Sequence, residues 1–347
     1  MSLGPLMIDL KGSSLDAQER EWLASPVVGG VILFTRNYVD RHQISDLVAE
    51  IHAIRRPPLL VAVDHEGGRV QRFREEFFRL PPLRTLGHLY DEEPDEALKT
   101  AAAFGWIAAS ELRCVGIDLG FTPVVDRDLG LAEVIGDRAL HGDARVVAEL
   151  AMRFAAGAKH AGMEITAKHF PTHAGAVTDS HTEPAVDRRE LAELDDDLVP
   201  YRKLIAKGLH SVMVAHVSFP AIDPLPASVS PWWVKQMLRD RLGFTGAVVA
   251  DDMSMAGAAV AGGVSERVRA ALEAGCDLVL LCNAPNDVPT VIDALGGYVN
   301  PSAQLRLTRL HGRGTSDWDS LHASTEWQRA EAAVAALGAR PKLELEG

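Results

Sequence analysis

The sequence predicts an α/β protein, a single-domain (β/α)8 TIM-type barrel with a C-terminal helical tail. Three observations predict it. Eight short apolar runs recur along the 347 residues, helical segments alternate with them, and chemistry-bearing residues collect where the runs end. Runs that are apolar throughout mark parallel strands buried on both faces. Alternating βα units in this number close a barrel more readily than they build an open sheet.

The runs are Leu6–Leu10, Val28–Phe34, Leu59–Asp64, Ile117–Val125, Glu164–His169, Ser211–Val217, Ala247–Asp251 and Asp277–Cys282. Amphipathic helices are expected at Asp16–Leu23, Arg41–Ile54, Asp95–Cys114, Ala144–Ala161, Arg188–Lys207, Pro231–Leu242, Ser265–Ala274 and Asn286–Leu295. Several open on capping or helix-start residues, such as Ser230-Pro231 and Asn286. No Pro/Gly/Ser-rich linker divides the chain. Residues 1–300 are therefore expected to form one catalytic barrel. Residues 301–347 form a polar tail, helical near Glu326–Leu337, that packs on the barrel or extends from it. An open dinucleotide-binding sheet lacks support, because Gly29-Gly30 precedes a strand and no G-x-G-x-x-G opens a helix.

The composition is that of an ordinary globular protein, 47% hydrophobic. The net charge of −13 argues against nucleic acid or an anionic membrane as a partner, since both demand a basic footprint. Cys114, Cys276 and Cys282 are too few and too scattered for a disulfide framework. No signal peptide and no membrane-length apolar run is visible, so a cytoplasmic, reducing location is expected.

Barrel enzymes work at the C-terminal ends of their strands. Those ends carry Asp9 and Lys11, then Thr35-Arg36-Asn37, Asp64 to Arg72, and Asp126-Arg127-Asp128. After these come Lys168 to His181, His216, Asp251-Asp252 and Asn283. Asp251 closes the run Ala247-Val248-Val249-Ala250, where a carboxylate points into the mouth. Among cations such as Lys168 and Arg72 it stays ionised, as a nucleophile must. The spacing also allows Asp251 to cap the next helix while Asp252 acts, or both to be structural. In Asp179-Ser180-His181 a carboxylate two residues from an imidazole can orient the ring and raise its pKa.

A metal-dependent, amidohydrolase-like barrel is the competing enzyme class. His169 and His173 are four apart, with His181, His65 and Asp251 as further donors. Pro171 argues against a helix that would set the two histidines on one face, and the first strand lacks an H-x-H pair. No metal and no cofactor is expected. A catalytically silent binding barrel is the third class.

The ordered motifs resemble the bacterial single-domain β-N-acetylhexosaminidases of glycoside hydrolase family 3, the peptidoglycan-recycling type. They are Gly30 to Asn37, Val63 to Arg72, Val134-Ile135-Gly136-Asp137-Arg138, Lys168-His169-Phe170-Pro171, Asp179-Ser180-His181, and Gly243-Phe244-Thr245-Gly246 leading to Asp251-Asp252-Met253-Ser254-Met255. The resemblance implies a retaining hydrolase of terminal β-linked N-acetylglucosamine, acting as a monomer on small carbohydrate or muropeptide substrates in the cytoplasm. It implies Asp251 as nucleophile and His181, partnered by Asp179, as general acid/base. It implies Asp64, Arg72, Arg138, Lys168 and His169 as the groups that hold the sugar. Thr172 and Ala174 stand where the family has glycines, and Ala250 where a small hydroxyl residue often precedes the nucleophile. Threonine or alanine is strained wherever such a glycine has positive φ.

Overall fold

The computed structural model describes residues 3–176, 185–314 and 317–339. Eight strands form the barrel: β1 (Leu6–Asp9), β2 (Val28–Leu33), β3 (Leu60–Val63), β4 (Leu119–Gly120), β5 (Glu164–Phe170), β6 (Ser211–Val214), β7 (Ala247–Ala250) and β8 (Leu278–Leu281). All pair in parallel and in chain order, and β8 returns to β1 with Leu6 opposite Val279, so no edge is left open. The continuous apolar runs are explained by burial on both faces. Met7, Ile32, Leu60, Phe121, Met213 and Leu280 pack inside the barrel. Their neighbours Leu6, Ile8, Val31, Val61, Val212 and Val279 pack outward under the helices.

β4 is the shortest strand. The expected run Ile117–Val125 keeps regular pairing only at Leu119–Gly120, followed by one bridge from Val124 to Lys168. Pro123 has no N–H to donate, so the ladder lapses there.

The helical layer comprises α1 (Ala17–Ala24), α2 (Arg41–Ala53), α3 (Arg84–Glu92), α4 (Pro94–Cys114), α5 (Ala144–His160), α6 (Val199–Ala206), α7 (Val264–Ala274) and α8 (Val288–Ala294). A wider-wound π-type helix spans Trp232–Arg241. α1 opens on a capping box, with Asp16 accepting from the Glu19 amide and Glu19 accepting from the Asp16 amide. α7 stops at Gly275, whose φ of 113° only glycine adopts readily. The expected helix Arg188–Lys207 is instead a 3-10 turn, Leu191–Leu194, followed by α6. Asp195-Asp196-Asp197 are poor helix formers, and Pro200 belongs in a first turn. α3 has no counterpart among the expected helices.

The C-terminal segment closes the base of the barrel, the end opposite the mouth. Leu307 of α9 (Pro301–Thr308) and Leu310 just after it join Leu3 in the inner cluster. Two buried carboxylates tie this segment down. Asp277 accepts from Arg306 (Nη2, 2.6 Å), Arg239 (Nη2, 2.7 Å) and the Val248 amide (2.9 Å). Asp118 accepts from the amides of Val61 (3.0 Å) and Gly312 (3.1 Å), with His52 Nε2 at 2.9 Å. α10 (Trp318–Ala323) and α11 (Thr325–Ala339) then pack on α3 and α4. There the His322 ring lies 4.6 Å from Trp318 and 4.0 Å from Trp327, with its Nε2 3.1 Å from buried Glu111. Among the described residues no helix is long and apolar enough to cross a membrane.

Candidate active site

β3, the loop after β4, and β5 deliver a buried charge cluster to the barrel mouth. Asp64 follows β3 and Lys168 lies near the end of β5. Lys168 Nζ sits 2.8 Å from Asp64 Oδ1 and 2.6 Å from Glu66 Oε1. Arg138 grips Glu66 with both arms, Nε to Oε2 at 2.8 Å and Nη2 to Oε1 at 2.9 Å. Arg72 reaches the other oxygen of Asp64 at 3.3 Å and lies over the Phe34 ring, 5.2 Å from its centroid. Such bidentate pairs fix direction as well as charge.

Burial opposes ionisation of Asp64, Glu66 and Lys168, and the opposite charges overcome it. Burial would raise Asp64, but Lys168 and Arg72 hold it well below the usual carboxylate range. Glu66 is likewise brought down to about 2 by Lys168 and Arg138 against its burial. Lys168 is pushed up by Asp64 and Glu66 despite burial. Asp64, Glu66 and Lys168 therefore stay charged at neutral pH, an arrangement suited to gripping hydroxyls rather than moving protons.

Asp126, just past β4, organises the turn that leaves β5. It accepts from the His169 amide (3.1 Å), from His169 Nδ1 (2.8 Å) and from the His173 amide (2.6 Å). Burial opposes the ionisation of Asp126, but the hydrogen bonds from His169 and the His173 amide hold its carboxyl below the usual carboxylate range. A carboxylate only accepts, so the His169 proton is fixed on Nδ1 and Nε2 is left for a ligand. His173 packs edge-on against His169, with ring centroids 6.2 Å apart. The two histidines thus converge on a carboxylate. Among the described residues no group of three or more His, Cys, Asp and Glu side chains is placed to hold a metal ion.

The next two residues differ from the family pattern and fit without strain. Neither Thr172 nor Ala174 has positive φ. Thr172 Oγ1 donates to Asp197 Oδ1 at 3.0 Å and accepts from the Ala174 amide at 3.0 Å. Gly175 is the position that must stay small, since a Cβ there would lie 2.4 Å from Asp187 Oδ2. Asp179 and His181 lie outside the described residues.

Asp251 is the first residue after β7 and is half-buried. Its amide donates to Val214 O at 3.2 Å, and its Oδ1 accepts from the Asp252 amide at 2.8 Å. Asp252 is differently engaged. Its carboxylate accepts from the Ser254 amide (3.0 Å), the Ser254 hydroxyl (2.7 Å) and the Cys282 amide (2.9 Å). Of the two aspartates, Asp252 is thus the one that ties the turn. Ala250 is fully buried in the layer between barrel and helices.

The structure thus brings Asp64, Arg72, Arg138, Lys168 and His169 to one end of the barrel, with Asp251 on the strand end across from them. Sequence reasoning does not single out Glu66 or Asp126 as site residues. A signal for Glu66 is present: Arg72, Arg138 and Lys168 beside Asp64 alone would leave buried positive charge unbalanced.

Residues 6–308 match the N-terminal domain of glycosyl hydrolase family 3. The chain is 49% identical to a β-hexosaminidase of Thioalkalivibrio sulfidiphilus over 346 residues, covering all of both chains. It is 49% identical to one from Nitrosospira multiformis over 342 residues, 98% of each. Among solved structures it resembles NagZ of Neisseria gonorrhoeae in complex with N-trifluoroacetyl-D-glucosamine. The identity is 41% and the TM-score 0.93, over 98% of this chain and 99% of that one.

Proposed function

The chain belongs to glycosyl hydrolase family 3 and is a β-N-acetylhexosaminidase, and from that premise we propose a retaining exo-glycosidase that works through a covalent glycosyl-enzyme. Its substrate is a terminal, non-reducing β-linked N-acetylglucosamine, carried on anhydro-N-acetylmuramic acid with or without peptide. It acts as a cytoplasmic monomer in cell-wall recycling, where its three free cysteines stay reduced.

The observation that carries the reading is the pairing of Asp251 with the cluster across the mouth. Asp64, Arg72 and Lys168 hold ring hydroxyls, Arg138 holds the cluster through Glu66, and His169 offers Nε2. Binding energy from these contacts fixes the anomeric carbon over the Asp251 carboxylate. Cleavage passes through an oxocarbenium-like transition state, so a carboxylate below the anomeric carbon and a proton beside the departing oxygen are both required. Asp251 bonds to the anomeric carbon as the glycosidic bond breaks, and His181 gives its proton to the departing oxygen. His181 then takes a proton from water, the water oxygen bonds to the anomeric carbon, and Asp251 leaves. Asp179 orients the imidazole. A histidine in this role avoids a second negative charge beside the nucleophile.

Asp251→Ala should remain folded and lose turnover of an aryl β-N-acetylglucosaminide by a factor on the order of 10⁴. The wild-type protein should release N-acetylglucosamine from its disaccharide with anhydro-N-acetylmuramic acid, read by mass spectrometry. An active Asp251→Ala variant sinks the nucleophile assignment. An intact disaccharide beside a hydrolysed aryl substrate sinks the recycling role alone.

A further inference from the structure

His216 follows β6 at the mouth and is buried, and the mechanism above gives it no task. Its ring joins two loops. Nδ1 lies 2.7 Å from Ser228 Oγ, and Nε2 lies 2.9 Å from the carbonyl oxygen of Asp252. A carbonyl only accepts, so Nε2 carries a proton. In the neutral ring Nδ1 is then the acceptor and the Ser228 hydroxyl the donor. Ser228 is itself fixed, fully buried with its amide donating to Ala215 O at 3.1 Å and its carbonyl accepting from Cys276 Sγ at 3.5 Å.

This chain of bonds ends beside the candidate nucleophile. The Asp252 amide donates to Asp251 Oδ1, and the Asp251 amide donates to Val214 O, two residues before His216. The Asp252 carboxylate ties the same turn to β8 through the Cys282 amide. β6 thus holds the presenting turn at two points, the Val214 carbonyl and the His216 ring. The Met255 amide also donates to Asp252 O at 3.1 Å, which preserves the turn on its own. What His216 adds is a second link from that turn to β6, beside the Val214 carbonyl.

We propose that His216 is a positioning residue that aims the Asp251 carboxylate by holding the Asp252 carbonyl, with Ser228 locking the required tautomer. The proposal rests on the reading of Asp251 as nucleophile. A carboxylate that attacks one carbon tolerates little displacement, and about 1 Å of misplacement costs on the order of 10²-fold. The sugar clamp is bonded separately, through β3, β5 and the loop after β4. Binding of the sugar should therefore survive when aim is lost.

The test uses His216→Ala, His216→Gln, Ser228→Ala and Asp251→Ala, with kcat/KM on an aryl β-N-acetylglucosaminide and the competitive Ki of free N-acetylglucosamine. His216→Ala should lose about 10²-fold in kcat/KM while Ki stays within about twofold of wild type. His216→Gln, whose amide can still donate to the Asp252 carbonyl, should recover part of the loss. Ser228→Ala frees the tautomer and should lose about fivefold to tenfold. The proposal is overturned by His216→Ala turnover within about twofold of wild type, or by a Ki that rises in step with the loss. If His216→Ala does not fold, an unimpaired Ser228→Ala overturns it instead. An active Asp251→Ala would defeat the nucleophile reading, whereas an inactive Asp251→Ala beside unimpaired His216→Ala and Ser228→Ala defeats only the positioning role.

Discussion

Both ends of this barrel bury carboxylates, and they use them in opposite ways. At the base, Asp277 and Asp118 accept backbone amides as well as cations, and their partners come from opposite ends of the chain: Gly312 reaches Asp118 across 194 residues. At the mouth, Asp64 and Glu66 are matched to Lys168, Arg72 and Arg138 by side chains alone. A carboxylate that collects amide donors fixes the path of the backbone. One that collects only cations holds a charged surface whose remaining hydrogen-bonding capacity is available to a ligand. The same residue type thus braces the backbone at the N-terminal face and presents charge at the C-terminal face, the end where barrel enzymes carry their sites.

Asp277→Asn should break this comparison if it is wrong. Removing one charge from a buried, multiply bonded group costs about 3–5 kcal/mol. Urea denaturation should show that loss, while kcat and KM of the remaining folded protein stay unchanged. A catalytic defect without a stability defect would erase the distinction between the two ends. Glu66→Gln sharpens the comparison from the other side. It leaves Lys168 and Arg138 half-balanced and should lower kcat/KM about 10²-fold, about 2.7 kcal/mol of transition-state binding. If Glu66→Gln instead loses stability alone, the mouth cluster is a second structural staple.

The smallest effect belongs to the C-terminal helices. Burial raises the pKa of Glu111, and the Glu111 hydrogen bond raises that of His322 against its partial burial. Both groups therefore bind a proton more tightly in the folded chain. The contribution of each is fully present below its unfolded value and is lost as pH rises through the raised one, so that of Glu111 fades upward from about pH 4.5 and that of His322 from about pH 6.5. Melting temperature should fall by about 1–2 °C across neutral pH through this pair, since His322 is partly exposed. His322→Ala should flatten that slope, and an unchanged slope would remove the pair from the account.

Most of the barrel is legible in the sequence because burial on both faces leaves runs such as Leu278–Leu281 with no polar residue at all. The misreadings occur where a single residue overrules the run. Pro123 cuts β4 short, and Asp195-Asp196-Asp197 with Pro200 divides the helix before β6. Arg72 and Lys168 are legible from their places at strand ends, and Arg138 only through the family resemblance. Glu66 and Asp126 are not, because a carboxylate's role depends on which partners folding brings beside it from 72 and 43 residues away. The same holds for Thr172. Its departure from a glycine pattern reads as strain in one dimension and as a hydrogen bond to Asp197 in three.

The clustering of Trp318 and Trp327 around His322 gives the protein an optical asymmetry. An imidazolium quenches indole emission by accepting excited-state charge, and here the ring lies against two indoles. Trp106, 6.2 Å from Trp327, extends the same group. Half of the six tryptophans therefore sit where the C-terminal helices meet α4, two on those helices and Trp106 on α4. Intrinsic fluorescence of this enzyme is weighted toward the docking of its tail, with the protonation of one histidine as the dimmer.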